Sequence, residues 1–162
     1  MRDFYTLLRI RLNTQPWKPA LGAGLAIAVI ASLKHIGFLP YLIAPLGASA
    51  TLVWMVPNSP LARARAVIGG SLISAAIGLG VVTLVGSTPW VTGLAVGLAI
   101  FAMVIFDVLH APAGALPLVI GLSHPEPVSF LATLAASTVL LVVLGRLYQG
   151  VAEPKVRVKP DA

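Results

Sequence analysis

The chain has no cysteine and very little charge. None of its 162 residues is Cys, only 10% are charged, and five acids stand against eleven Lys and Arg. The first absence excludes disulfides, thiol catalysis and Cys-ligated metals. The second excludes an ordinary water-soluble domain, in which about a quarter of residues carry charge. Three histidines, His35, His110 and His124, lack the spacing of a metal-ligand set, so neither a metal nor any other cofactor is expected. A compact hydrophobic leader is also missing. Met1 to Lys18 scatters Arg2, Arg9, Arg11 and Lys18 among its apolar residues, and with Phe4, Leu8 and Leu12 on one side it reads as a short interfacial helix.

What is present is apolar: 58% of the chain. Most cations flank apolar runs, where basic residues select the cytoplasmic side, so the positive balance predicts topology and no nucleic-acid partner. The chain reads as an all-α polytopic membrane bundle whose first partner is the lipid bilayer. A basic N-terminal segment (1–18), a transmembrane domain (19–148) and a flexible basic tail (149–162) are expected. The membrane is read as a bacterial plasma membrane with both termini cytoplasmic, and so small a bundle invites a homo-oligomer.

Gaps between charges measure the spans. Pro19 to Gly37 makes a first span if Lys34 snorkels. From Ala66 to Phe106 there is no charge at all, enough for two spans joined at Gly86-Ser87-Thr88-Pro89-Trp90. Val128 to Gly145 is a last clean helix, ending at Arg146. Gly70, Ser74 and Gly78 recur every fourth residue, as do Gly93 and Gly97, a spacing that lets helix backbones approach closely in lipid.

Two apolar stretches cannot be single clean helices. Phe38 to Val56 is interrupted by Pro40, Pro45 and Gly47, and Val108 to Leu122 by Pro112, Gly114 and Pro117. Both carry Ala-Pro-x-Gly-Ala, at Ala44 to Ala48 and at Ala111 to Ala115. A shift of 67 positions superposes the motifs and also carries Pro60 onto Pro127 and Gly78 onto Gly145. Pro-Trp opens each half, at Pro16-Trp17 and Pro89-Trp90. The order of these features predicts two similar halves, about 16–88 and 89–148, each with two long helices and one broken segment. If the broken segments cross, the chain makes six passes and the N-terminus, Arg63, Arg65 and the tail share one side. If they are re-entrant, four helices span and Arg63 with Arg65 fall opposite. The positive-inside rule favours six.

Proline inside a helix removes a backbone hydrogen bond, and in lipid the freed groups survive only where protein or water satisfies them. Paired broken segments in corresponding halves mark a transporter site. The predicted pathway is Pro45, Gly47, Ala48, Ser49, His110, Pro112, Gly114 and Ala115, with backbone amides near Gly47, Ala48, Gly114 and Ala115 favouring a small anion. Asp107 and His110, three residues apart, would share a helical face and handle protons if the helix runs that far. No nucleophile with a placed base is visible, so no enzyme is expected. The other class left open is a non-transporting scaffold or sensor subunit, which predicts a dry, close-packed centre.

Four stretches in order carry a family resemblance: Ala44-Pro-Leu-Gly-Ala-Ser-Ala, Val56-Pro-Asn-Ser-Pro-Leu-Ala, Val67-Ile-Gly-Gly-Ser-Leu-Ile-Ser-Ala and Leu109-His-Ala-Pro-Ala-Gly-Ala. Together they resemble the HPP family of integral membrane proteins, named for a His-Pro-Pro motif usually followed by Ala-Gly-Ala. The resemblance implies four membrane-spanning helices and, through plant and cyanobacterial relatives, transport of nitrite. The sequence departs from the pattern at Ala111, where proline is usual. It departs again at Ser71, where His commonly follows Gly-Gly, and at Phe106-Asp107, which replaces a frequent Thr-Arg pair.

Overall fold

A computed structural model describes residues 17–152. Six α-helices follow one another: α1 (Trp17–His35), α2 (Pro45–Met55), α3 (Ser71–Val85), α4 (Pro89–Ile105), α5 (Leu116–Ser123) and α6 (Pro127–Ala152). A π turn, Ala66–Gly70, leads into α3, and a tight five-residue 3-10 winding, Ala111–Ala115, leads into α5. No strand occurs among the described residues. The expected interfacial helix before Trp17 and the tail after Ala152 lie outside them.

Local chemistry sets the boundaries. α1 ends where Gly37 takes φ +79°, a left-handed conformation that costs glycine little. Thr88 caps α4, its hydroxyl accepting from the Val91 amide, with Pro89 at the first helical position. Glu126 caps α6, its carboxylate accepting from the Val128 and Ser129 amides. α6 runs on past Arg146, where its charge alone would have stopped it. The Gln149 carboxamide donates to the Val53 carbonyl at 2.9 Å and ties this extra turn to the end of α2.

Three helices are long and apolar enough to cross a membrane, Trp17–His35, Ala66–Val85 and Pro127–Val151. The outer surface matches such a solvent: Leu21, Leu25, Trp90, Leu94, Phe101, Leu122 and Leu147 are all exposed. The protein is therefore a helical membrane protein, in which packing and hydrogen bonding, rather than escape from water, hold helix to helix.

Each broken segment runs the length of a long helix. Beside α3, Val108 lies against Gly69 and Gly70, Ala113 is bonded to Ser74, Pro117 and Ile120 lie against Gly78, and His124 is bonded to Ser87. Beside α6, Tyr41 packs on Phe130 with ring centroids 5.6 Å apart and its hydroxyl accepts from the Glu126 amide, while Val53 reaches Gly145 and Gln149. Stretching makes this reach attainable for so few residues. The irregular residues ending in extended His110, the five of the tight winding and the eight of α5 together cover about 30 Å.

The small-residue ridges divide in two. A methyl group at Gly70 would collide with the Val108 carbonyl oxygen, and one at Gly78 would sit 3.0 Å from Pro117 Cα. Gly70, Ser74 and Gly78 thus form a groove, and what occupies it is the broken segment rather than a second regular helix. Gly93 and Gly97 pack nothing among the described residues: both are exposed, with no atom of these within 4 Å of an added methyl. The inward stripe of α4 is Ala95, Ala99 and Met103, all fully buried. Four-residue spacing identifies a ridge, but not which of a helix's faces meets the bundle.

Candidate functional site

The site is built where the two broken segments pass each other. Pro45 starts α2, and four residues on Ser49 points inward, 2% exposed. From the other half comes His110, in extended conformation just before the tight winding and with 0% exposure. Ser49 Oγ and His110 Nε2 are 2.8 Å apart, and His110 Nδ1 lies 2.8 Å from the Leu61 carbonyl oxygen. Because a carbonyl only accepts, the proton belongs on Nδ1 of the neutral ring, and Nε2 then accepts from the Ser49 hydroxyl. Gly70 is the reason His110 fits: its missing side chain would also have met the His110 Cβ, at 3.0 Å.

The prolines of the second segment leave work for neighbours. In a regular helix the residue at 117 would donate to the Ala113 carbonyl, but proline has no N–H. The tight winding gives that carbonyl the Leu116 amide in its place, and Ser74 Oγ adds a second donor at 2.6 Å. Ser74 is 0% exposed, so its own hydroxyl is satisfied by this bond where no water reaches it. Of the backbone amides expected to face a cavity, that of Gly47 already donates to Ala44 O at 3.1 Å; in the second segment the Ala113 amide, just before Gly114, donates to His110 O at 2.9 Å. Where Ala48 meets Ala111 and Pro112 there is an open apolar groove of about 440 Å³, completed by Thr51 and Leu52. The Thr51 hydroxyl donates to Gly47 O within its own helix.

Charge lies on the other side of His110. A cavity of about 190 Å³ is lined by Pro60, Leu61, Arg63, Arg65, Asp107 and Leu109 among others. Arg65 forms an ion pair with Asp107, both largely exposed. Leu61 joins the two regions, since its side of the cavity backs directly onto the ring of His110. Asp107 and His110 do not share a helical face. α4 ends at Ile105, Asp107 adopts φ +52°, and the chain to His110 is extended, so the acid pairs with Arg65 and the imidazole with Ser49. His35 and His124 are exposed near helix ends.

Of the predicted pathway residues, the structure brings together Ser49 and His110 in one hydrogen bond, and Ala48 and Pro112 in one groove. Pro45 contributes its carbonyl, 3.2 Å from Ser49 Oγ. Gly114 and Ala115 sit half-buried in the tight winding, away from the imidazole's bonds. The sequence reading missed Leu61, whose role is that of a backbone oxygen, and the pairing of Arg65 with Asp107 across 42 positions. For the latter a signal existed: opposite charges at the ends of consecutive apolar runs.

Fold and site together define a polytopic helical membrane protein with a buried polar contact between two interrupted segments. The family model described as the HPP transmembrane region matches residues 9–157, and the chain belongs to that family. No curated protein and no solved structure matches the chain.

Proposed function

We propose that this protein is a membrane transporter or channel for a small inorganic anion, built from two related halves of three crossings each. The observation that carries the reading is the position of His110. It is fully buried, bonded to both the first broken segment and the Leu61 turn, and separated by little more than Leu61 and Leu109 from an arginine-lined cavity. A buried ionisable group between interrupted segments is expensive in lipid and is the mark of a pathway. The arginines supply the charge that attracts an anion to the mouth. Closure over His110 and the occupied Gly47 amide belong to a state without substrate.

Two related halves are supported by a reciprocity of contacts. An added methyl at Gly78 meets Ile120, and one at Gly145 meets Val53. The offset of 67 positions that carries Gly78 onto Gly145 also carries Val53 onto Ile120. Six crossings are supported by the passage of each broken segment along a full long helix, and place the termini with Arg63 and Arg65 on the cytoplasmic side. Cysteines introduced at Arg63 and Ser87 into this cysteine-free chain test it. Labelling of Arg63→Cys from the side of the N-terminus is expected, and labelling from the other side overturns six crossings.

The functional test is flux into proteoliposomes. Uptake of nitrite, the substrate the family resemblance implies, or of nitrate or formate is expected above empty vesicles. Correctly inserted protein with no such flux refutes the transport reading. One observation favours a second reading. A serine hydroxyl 2.8 Å from an imidazole whose other nitrogen is held by an acceptor is the arrangement of a nucleophile and its base. Both groups are buried, so substrate access needs an opening motion. A fluorophosphonate that labels wild type but not Ser49→Ala would establish that reading, and its failure to label leaves transport.

A further inference from the structure

The Ser49 hydroxyl has two acceptors and one proton. Its oxygen lies 2.8 Å from His110 Nε2 and 3.2 Å from the Pro45 carbonyl oxygen. With Nδ1–H committed to Leu61 O, only two arrangements satisfy every group. In the neutral one, Ser49 donates to Nε2. In the other, Nε2 carries a proton and donates to Ser49 Oγ, and the hydroxyl turns to Pro45 O. Both fill the same space with the same heavy atoms, so the ring gains a proton at Nε2 with no unpaired group left behind.

A charged ring there has few neighbours to balance it. The elements packed around His110 are α2, the short turn Pro60–Ala62 that contains Leu61, the π turn with α3, α4 and the Ala111–Ala115 winding, and none contains an acid, a base or a tyrosine. α6, which packs against α2, has only Arg146 and Tyr148, near its far end. Arg63 and Arg65 are of the wrong sign. Asp107 is the one nearby carboxylate among the described residues, and it is held by Arg65 at the exposed mouth. An uncompensated imidazolium in this interior is costly.

We propose that His110 and Ser49 form the proton site of a coupled proton–anion pair, in which the anion held in the Arg63–Arg65 cavity is the counter-ion of protonated His110. This rests on the transport reading and specifies its coupling. The anion displaces Asp107 from Arg65, a proton arrives at Nε2, and the Ser49 hydroxyl turns to Pro45 O. One negative and one positive charge enter together, so the occupied site is no more charged than the empty one. Each centre thereby tightens the other, as linkage requires.

The test uses the full chain, labelled with 15N-histidine, in lipid bilayers with and without nitrite. Without anion, His110 is expected as the neutral Nδ1–H tautomer at pH 6. With saturating nitrite at the same pH, the imidazolium signature is expected, and nitrite affinity should rise about tenfold per pH unit lowered, the limit for one linked proton. Ser49→Ala should lose at least half of that pH dependence while Ser49→Thr keeps it, and His110→Gln should bind nitrite with no pH dependence. A resting Nε2–H tautomer, or a protonation state indifferent to nitrite, overturns the proposal. The two readings fail separately. Flux that ignores a pH gradient, with an anion-indifferent His110, removes the coupling and leaves transport. Linked binding without flux removes transport and leaves the proton–anion site.

Discussion

The two broken segments have similar courses and different contents. The first enters as an irregular run and settles into α2, a regular eleven-residue helix. The second is extended, then tightly wound, then helical, and two of its prolines lie within five residues of each other. At the position of His110 the first segment has Ile43, also buried, 2% exposed. The first lends a hydroxyl and a proline carbonyl; the second brings the one titratable group. If the halves are related, as proposed, the course of the segments and the reactivity of the site are separate properties. Either is open to change without the other.

The comparison breaks most visibly at the glycines that seat the segments. Gly70→Ala drives a methyl into the Val108 carbonyl, a backbone atom with no rotamer to yield, and should cost about 3 kcal/mol. Gly145→Ala and Gly78→Ala should each cost about 1–3 kcal/mol, with similar values if the halves are related. Gly97→Ala, which meets nothing, should stay within about 0.5 kcal/mol of wild type. Thermal unfolding in lipid or detergent measures all four. If Gly97→Ala proves as damaging as Gly145→Ala, the assignment of the two ridges is wrong.

The matched pair His110 and Ile43 tests the chemical difference. His110→Leu strips the partner from the buried Leu61 carbonyl and should cost about 1–3 kcal/mol, while Ser49 falls back on Pro45 O. Ile43→Leu conserves volume and leaves no polar group stranded, so a loss below about 1.5 kcal/mol is expected. Equal costs would mean that the imidazole is only filling space. At the mouth, Asp107→Asn removes an exposed ion pair and should change stability by less than about 1 kcal/mol. Its sharper consequence is on binding, where a vacated Arg65 should raise anion affinity.

The smallest effect lies at the opposite end. The Glu126 carboxyl is held below the ordinary carboxylate range, first by the Ser129 hydroxyl and then by the Ser129 and Val128 amides. Its folded form therefore ionises at lower pH than the unfolded one, whose value is 4.5. The cap is at full strength above that value and fades as pH falls through the folded one. The melting-temperature gap between wild type and Glu126→Gln should accordingly shrink on going from pH 7 to pH 3. A constant gap would show that the carboxylate charge does not support α6.

Much of this architecture was readable from the chain. Charge-free lengths delimited α1, α3 and α4 to within a few residues, because lipid tolerates so little charge that its absence is itself a ruler. The breaks at Pro45 and Pro112 were legible because proline acts locally. Three things were not. The end of α6 depends on Gln149 reaching the Val53 carbonyl, a contact no local pattern encodes. The idle face carrying Gly93 and Gly97 was indistinguishable from a working one, since spacing records periodicity and not direction. Ser49 and His110 were each singled out, yet their bond spans 61 positions and depends on Gly70 having no side chain. Local rules found the parts of the site, and tertiary packing alone joined them.

The seating of each broken segment also sets an order of assembly. The first segment, ending near Val53, rests on Gly145 of α6, the last of the described helices to be synthesised. Trp54, which packs against Gly22 and Tyr148, waits for the same event. The packing of α1 and α2 is therefore unfinished until α6 follows, and remains so through the synthesis of α3, α4 and α5. A chain arrested before α6 is a substrate for quality control. Separately made halves should gain lifetime only in each other's company.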